Sequence, residues 1–222
     1  MSNFKAQFLR SPKVLISVLN YNNFLSTKNC IVSIHESIYN NYEILLIDNC
    51  STDNSYNDLK NAFPLLNVIR SKKNEGYAAG HYISVEYGLN NHFDLIWILN
   101  NDLIVFKKTL ANLITEYKKF GDALFGSLTL KSNDPEIVDF GGGKTSNHQK
   151  ALNYNDYENY KLDDYLKLEK TRQVQTIEGS SFLIPFSIIK KYGFMDKKFF
   201  MYAEEISYCF RLGKKDIKSI LV

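Results

Sequence analysis

The chain has 222 residues, 45% of them hydrophobic and 23% charged, enough to bury a substantial single core, which argues against disordered and fibrous classes. A net charge of +3 with only four arginines (Arg10, Arg70, Arg172, Arg211) does not point to a nucleic-acid or membrane partner. Three cysteines without CxxC spacing indicate neither a disulfide framework nor a zinc site, so a reducing compartment is the default; residues 1–13 show no apolar leader and no apolar run reaches the roughly 18 residues that span a bilayer.

In chain order, short branched apolar runs alternate with longer mixed segments, the appearance of an α/β domain with buried parallel strands. Strands are predicted over 14–19, 43–47, 67–70 and 95–99, with helices over 24–37, 54–62 and 78–87 between them. Right-handed crossovers then gather the loops that follow these strands along one sheet edge, where ligands bind. The second half predicts a helix over 109–120, a strand over 123–130, an irregular Tyr- and Asp-rich stretch from 141 to about 170, a strand over 180–184 and a short helix over 186–192. A last helix over 201–212 ends at Gly213, with Ala203, Ile206, Phe210 and Gly213 as its inward face, and a late strand runs to Val222. Pro is rare and no Gly/Ser tract divides the halves, so one mixed-sheet domain is expected.

Four segments carry candidate chemistry. Asp48-Asn49-Cys50-Ser51-Thr52-Asp53-Asn54-Ser55 is either a capped turn, with Asp53 as cap, or a site where Asp48 accepts a hydrogen bond from a ligand such as a pyrimidine imide. Asn74-Glu75-Gly76-Tyr77-Ala78-Ala79-Gly80 puts small residues at a helix start, which suits close backbone approach and phosphate oxygens, or tight packing on a sheet. Leu99-Asn100-Asn101-Asp102 ends a buried strand in polar residues, as either an ordinary turn or a carboxylate that holds a divalent cation and a diphosphate. Met201-Tyr202-Ala203-Glu204-Glu205 opens a helix with two carboxylates about 100° apart, so that one can face a cleft while the other faces water. Helix-dipole complementarity explains the pair equally simply; the functional reading makes one Glu a general base. His35, His81, His92 and His148 show no ligand spacing and read as structural or surface residues, and Tyr154, Tyr157, Tyr160 and Tyr165 read as rings buried on the domain.

Together and in order, these segments resemble the family 2 glycosyltransferases of GT-A fold, and within them the bacterial rhamnosyltransferase-like group. The resemblance covers residues 14–213 and also rests on Ser17-Val18-Leu19-Asn20-Tyr21-Asn22, Gly179-Ser180 and Gly193-Phe194-Met195-Asp196. It implies a Rossmann-like, mixed but mainly parallel sheet flanked by helices in a single domain, with a donor-binding part over 12–106 and an acceptor and base part over 107–222. The activity implied is an inverting, metal-dependent transfer of a hexosyl or deoxyhexosyl group from a nucleotide-diphosphate sugar, UDP- or dTDP-linked, to a hydroxyl of a glycan or lipid-linked glycan, in bacterial surface polysaccharide synthesis.

Residue by residue, the resemblance assigns Leu19, Tyr21 and Asp48 to the nucleoside, Asp102 to Mg2+ or Mn2+ and the diphosphate, and Asn100 and Asn101 to the sugar-nucleotide, with Gly76 and Gly80 also on the donor side. Gly179, Ser180 and Tyr202 belong to the acceptor side, Glu205 is the base, and Glu204 its neighbour and fallback. This chain departs from the family pattern at His81-Tyr82, where Asn-Asn is common, at Ser84 for Gly, at Glu205 for Asp and at Ser207 for a second acid. It also ends at Val222, before the C-terminal extension in which many relatives carry a metal-binding His. A cytoplasmic setting is implied, compatible with the inner face of the membrane and with a homo-oligomer. Two alternatives stand beside it: an inactive donor-binding subunit of a glycan assembly complex, and a nucleotidyltransferase, which Asn20-Tyr21-Asn22-Asn23 disfavours for want of a Gly-rich loop.

Overall fold

The computed structural model describes residues 10–145, 153–168 and 171–222; His148 lies outside them. Strands β1 (Val14–Asn20), β2 (Tyr42–Asp48), β3 (Asn67–Arg70) and β4 (Leu95–Asn100) run parallel, linked by helices α1 (Phe24–His35), α2 (Ser55–Ala62) and α3 (Tyr77–Asn90). The chain continues through α4 (Thr109–Phe120), β5 (Leu124–Gly126), β6 (Thr129–Lys131), β7 (Asp134–Phe140), β8 (Gly143–Thr145) and β9 (Asn153–Asn155). It ends with α5 (Leu162–Tyr165), β10 (Arg172–Val174), β11 (Ser181–Pro185), α6 (Phe186–Tyr192), α7 (Glu204–Gly213) and β12 (Ser219–Leu221).

One eight-stranded sheet has the order β10-β12-β5-β11-β4-β1-β2-β3, in which β11 is antiparallel to both its neighbours and β10 to β12. The four leading strands read as unbroken apolar runs because both sheet faces are covered. Val14, Ile16, Val18, Trp97 and Leu99 join the core under α1 and α4, while Leu15, Ile96 and Ile98 join the core under α3, α6 and α7. The chain moves outward from β1 to β3 and then back past β1 to β4. Right-handed crossovers therefore place α3 on the face opposite α1 and open a crevice at the carboxyl ends of β1 and β4. Register then aligns polar strand ends, Asn20 beside Asp48 and Leu19 beside Asn100.

Three sequence expectations are corrected. The strand expected over 123–130 is two: β5 stops at Gly126, where a Cβ would run into Ile177, and β6 turns away to pair with β7. The stretch from 141, expected to be irregular, contains the antiparallel pair β8 and β9 and the helix α5; Arg172 of β10 lies over its Tyr157 and Tyr165 rings, 4.0 and 4.7 Å from their centroids. Tyr165 is buried as expected, whereas Tyr160 is exposed. The last helix starts at Glu204 rather than 201, because Tyr202 and Ala203 hold left-handed φ values of 70° and 68°. Its inward face is accordingly Glu204, Tyr208, Cys209 and Leu212, not the set through Ala203 and Phe210.

Candidate active site

At the carboxyl ends of β1 and β2 a buried polar network ties two loops together. Asn20 Nδ2 lies 2.9 Å from Asp48 Oδ1 and 3.1 Å from both Ser51 Oγ and Ser55 Oγ. The Asp48 carboxylate is fully buried; it also accepts from Ser51 Oγ at 2.5 Å and Ser51 N at 3.1 Å, and it pairs with Arg70 Nε at 3.4 Å. These four partners fill the lone pairs a carboxylate offers, so a ligand imide reaches Asp48 only by displacing the longest of them, Arg70. Asn22 staples the same loops, donating its N–H to Ser51 Oγ and accepting from Thr52 N through Oδ1. The N-cap of α2 is Asn54 rather than the expected Asp53, which stands one residue earlier and accepts from Ser55 N at 3.0 Å. Tyr21 is 45% exposed beside this network.

The glycines expected to approach a phosphate approach protein atoms instead. Gly76 has φ +86°, and a Cβ there would collide with the Phe200 carbonyl oxygen, which also accepts from Tyr77 N at 2.8 Å. A Cβ on Gly80 would sit 2.7 Å from Leu19 Cδ1, so this glycine seats the Leu19 side chain. Both positions thus shape the crevice at the strand ends through their neighbours.

At the end of β4, Asn101 Nδ2 donates to Thr27 Oγ1 at 2.7 Å, and Thr27 donates onward to Asn20 Oδ1 at 2.8 Å. Asn100 is partly buried, its N–H bonded to Ser180 O at 2.9 Å, while Asp102 is exposed. Among the described residues no group of three His, Cys, Asp or Glu side chains could enclose a metal. The donor set at this strand end is therefore one free carboxylate. That fits a hard divalent cation that takes its remaining ligands from phosphate and water, as Mg2+ commonly does.

On the other side of β4, β11 brings in Glu178, Gly179 and Ser180. Ser180 Oγ donates to Glu178 Oε2 at 2.7 Å, and the Tyr77 hydroxyl donates to Gly179 O at 2.5 Å. Burial first, then the charges of Glu205, Glu204 and Glu178, pushes the pKa of that hydroxyl well above the usual value. Neither glutamate at the head of α7 faces open water, contrary to the sequence expectation: Glu204 is 3% exposed and Glu205 partly buried. Burial first, then Glu204 and Glu178, pushes the Glu205 carboxyl up from 4.5 to about 7. Burial likewise raises Glu204, whose Oε2 has no hydrogen-bond partner, and Glu178. Tyr202 projects into solvent from the strained turn before them.

Sequence reasoning missed Glu178, Tyr77 and Thr27. Only proximity to Gly179-Ser180, to Gly76 and to Asn20 respectively could have drawn attention to them. His81 is a core residue: its Nδ1 lies 2.7 Å from Ser17 Oγ, and burial pushes the ring down from 6.5 to about 3.

The family model described as Glycosyl transferase family 2 matches residues 15–193. A curated relative, the low-salt glycan biosynthesis hexosyltransferase Agl10 of Haloferax volcanii, is 23% identical over 221 residues, covering 96% of this chain and 66% of its own length. Two solved structures share the fold. The mannosyltransferase PcManGT from Pyrobaculum calidifontis, in complex with GDP-Man and Mn2+, has a TM-score of 0.70 at 12% identity, with 97% of this chain and 56% of that one covered. GalNAc-T7 with UDP, GalNAc and Mn2+ has a TM-score of 0.77 at 17% identity, with 95% and 42% covered. The chain thus spans about two thirds of the curated relative and about half of these solved chains.

Proposed function

The chain belongs to glycosyl transferase family 2 and is a glycosyltransferase, and on that premise we propose that it moves a hexosyl or deoxyhexosyl group from a UDP- or dTDP-sugar to a hydroxyl of a glycan or lipid-linked glycan, with inversion. The setting we propose is surface polysaccharide assembly, a reading supported by the glycan biosynthesis role in the relative's name. The donor is held by residues 12–106 and the acceptor and base by 107–222, with β11 inserted beside β4 so that the two parts share one sheet.

The observation that carries this reading is Glu205, a carboxyl at the head of α7 with its pKa raised to about 7. A general base works best when its pKa lies near the operating pH, and typically contributes about 10²–10⁴-fold. Glu205 takes the proton of the acceptor hydroxyl, whose oxygen attacks the anomeric carbon from the face away from the diphosphate. As the new C–O bond forms, the bond to the diphosphate breaks and the leaving group takes its electron pair. Leu19 and Tyr21 hold the nucleoside, with Asp48 bracing the loops around it or, once Arg70 is displaced, meeting the base. Asn100 and Asn101 flank the sugar-nucleotide, and Asp102 holds Mg2+ or Mn2+. What the cation supplies when bound is neutralisation of the leaving diphosphate.

The test pairs donor binding with turnover. Thermal shift against a panel of nucleotide sugars with Mn2+ or Mg2+ identifies the donor, and a ligand at 100 times its Kd stabilises by about 2.7 kcal/mol. Glu205→Gln keeps that shift while nucleoside diphosphate release in the presence of acceptor drops by about 10²–10⁴-fold. Full turnover in this variant removes Glu205 from the mechanism.

A further inference from the structure

Resting on the glycosyltransferase reading above, we propose that Glu178 is an acceptor-selecting residue: it restricts the acceptor to a neutral or amino-bearing sugar whose hydroxyl it hydrogen-bonds, against one carrying a carboxylate or phosphate at that point. Glu178 stands ahead of the amino end of β11, three residues before its first residue, Ser181, and Ser180 Oγ fixes one of its oxygens at 2.7 Å. The same segment touches both halves of the site, through Ser180 O to the Asn100 N–H and through Gly179 O to the Tyr77 hydroxyl. Tyr77 bridges the two segments, its N–H bonded to Phe200 O ahead of Glu204 and Glu205 and its hydroxyl to Gly179 O beside Glu178, and all three carboxyls act on that hydroxyl.

Two further observations point to what enters it. Among the described residues no lysine or arginine forms an ion pair with any of the three. Glu204 is nearly inaccessible, yet its Oε2 has no hydrogen-bond partner. A buried acceptor without a partner calls for a donor, and a sugar hydroxyl both donates and accepts. A carboxylate or phosphate brought here meets carboxyls that pair with no described lysine or arginine. With screening between the near-surface and bulk-water limits, one ionised carboxylate disfavours a like-charged ligand by on the order of tenfold, and the cluster together by on the order of 10²-fold.

The experiment measures binding of octyl β-glucoside, octyl β-galactoside and the corresponding octyl uronides to protein loaded with Mn2+ and the nucleoside diphosphate that stabilises it. Wild-type protein is expected to favour the neutral sugars by about 10²-fold. In Glu178→Gln the preference falls to about tenfold, and in Glu178→Asp, which keeps the charge, it stays near wild type. Equal binding of neutral sugar and uronide by wild type, an unchanged preference in Glu178→Gln, or no sugar binding by protein that does bind nucleotide overturns the proposal and leaves the glycosyltransferase reading standing. Failure to bind any nucleoside diphosphate overturns both.

Discussion

Glu205 is tuned at the expense of the fold that carries it. In the unfolded chain this carboxyl ionises near 4.5, whereas in the folded site burial and two neighbouring glutamates move ionisation up to about 7. A raised folded pKa means that the group's stabilising contribution is complete below the unfolded value and is lost as pH rises through the folded one. Above pH 7 the folded state therefore carries an ionised, partly desolvated carboxylate that costs on the order of 1–3 kcal/mol. Glu205→Gln is expected to be more stable than wild type by that amount at pH 8 and nearly equal to it at pH 4.5, in urea melts at each pH. Equal midpoints at pH 8 would show that the carboxylate is already well solvated. With Glu205 as the proposed base, kcat/KM is expected to rise about tenfold per pH unit below 7 and to level off above it, since only the ionised form accepts a proton.

At the scale of elements, α3 is the part on which donor and acceptor sides both lean. Gly76, which caps it, meets the backbone ahead of Glu205, and Gly80, within its first turn, meets a side chain of β1. Gly76→Ala needs left-handed backbone at a non-glycine residue and drives a Cβ into the Phe200 carbonyl. It is expected to cost about 2–4 kcal/mol and to lower kcat, because the Phe200 segment leads directly into α7. Gly80→Ala meets only the tip of Leu19, a side chain that can swing, so it should leave kcat near wild type and raise the KM for donor. Because Leu19→Ala by itself loses the proposed nucleoside contact, the check is non-additivity: with the clash removed, Gly80→Ala should add little to the donor KM of Leu19→Ala, and a fully additive increase would mean that the contact is not what Gly80 provides. The parts of the fold legible in the sequence follow from the same physics. β1, β2 and β4 announce themselves because both faces are buried, and Asn20, Asp48 and Asn100 stand out because polarity returns where each strand leaves the core. The start of α7 was not legible: the left-handed turn at Tyr202 and Ala203 lies where the Phe200 carbonyl is tied to Tyr77, a partner more than 120 residues away. Strands of three residues such as β8 and β9 are too short to show a period. Glu178 has no motif of its own and gains meaning only once β11 is seen beside β4.

For the molecule as a whole, His81 and Glu205 belong to the same side of the sheet and pull its pH dependence in opposite directions. His81 is buried on α3, bonded to Ser17 of β1, and titrates near 3 rather than 6.5. A depressed folded pKa gives stability that is present above the unfolded value and lost as pH falls through the folded one, so below 6.5 the unfolded chain gains a proton that the core refuses. The loss reaches about 3 kcal/mol by pH 4. Between pH 4.5 and 6.5 the two groups therefore oppose each other, with His81 favouring the folded state as pH rises and Glu205 disfavouring it. Glu178 and Glu204, also raised by burial, add to the second trend, so absolute stability curves mix several groups. Differences between variants separate them. His81→Asn, which keeps a hydrogen-bonding partner for Ser17, is expected to gain on wild type steadily as pH falls from 6.5 to 4, while Glu205→Gln gains on it as pH rises from 4.5 to 8. Both side chains neighbour Tyr77, yet the His81 shift comes from burial and the Glu205 shift from burial and the neighbouring glutamates, so the double variant is expected to show close to the sum of both differences at every pH. A non-additive remainder above about 0.5 kcal/mol would mean that α3 and α7 are coupled through the site itself, and that titration of the core histidine reaches the base.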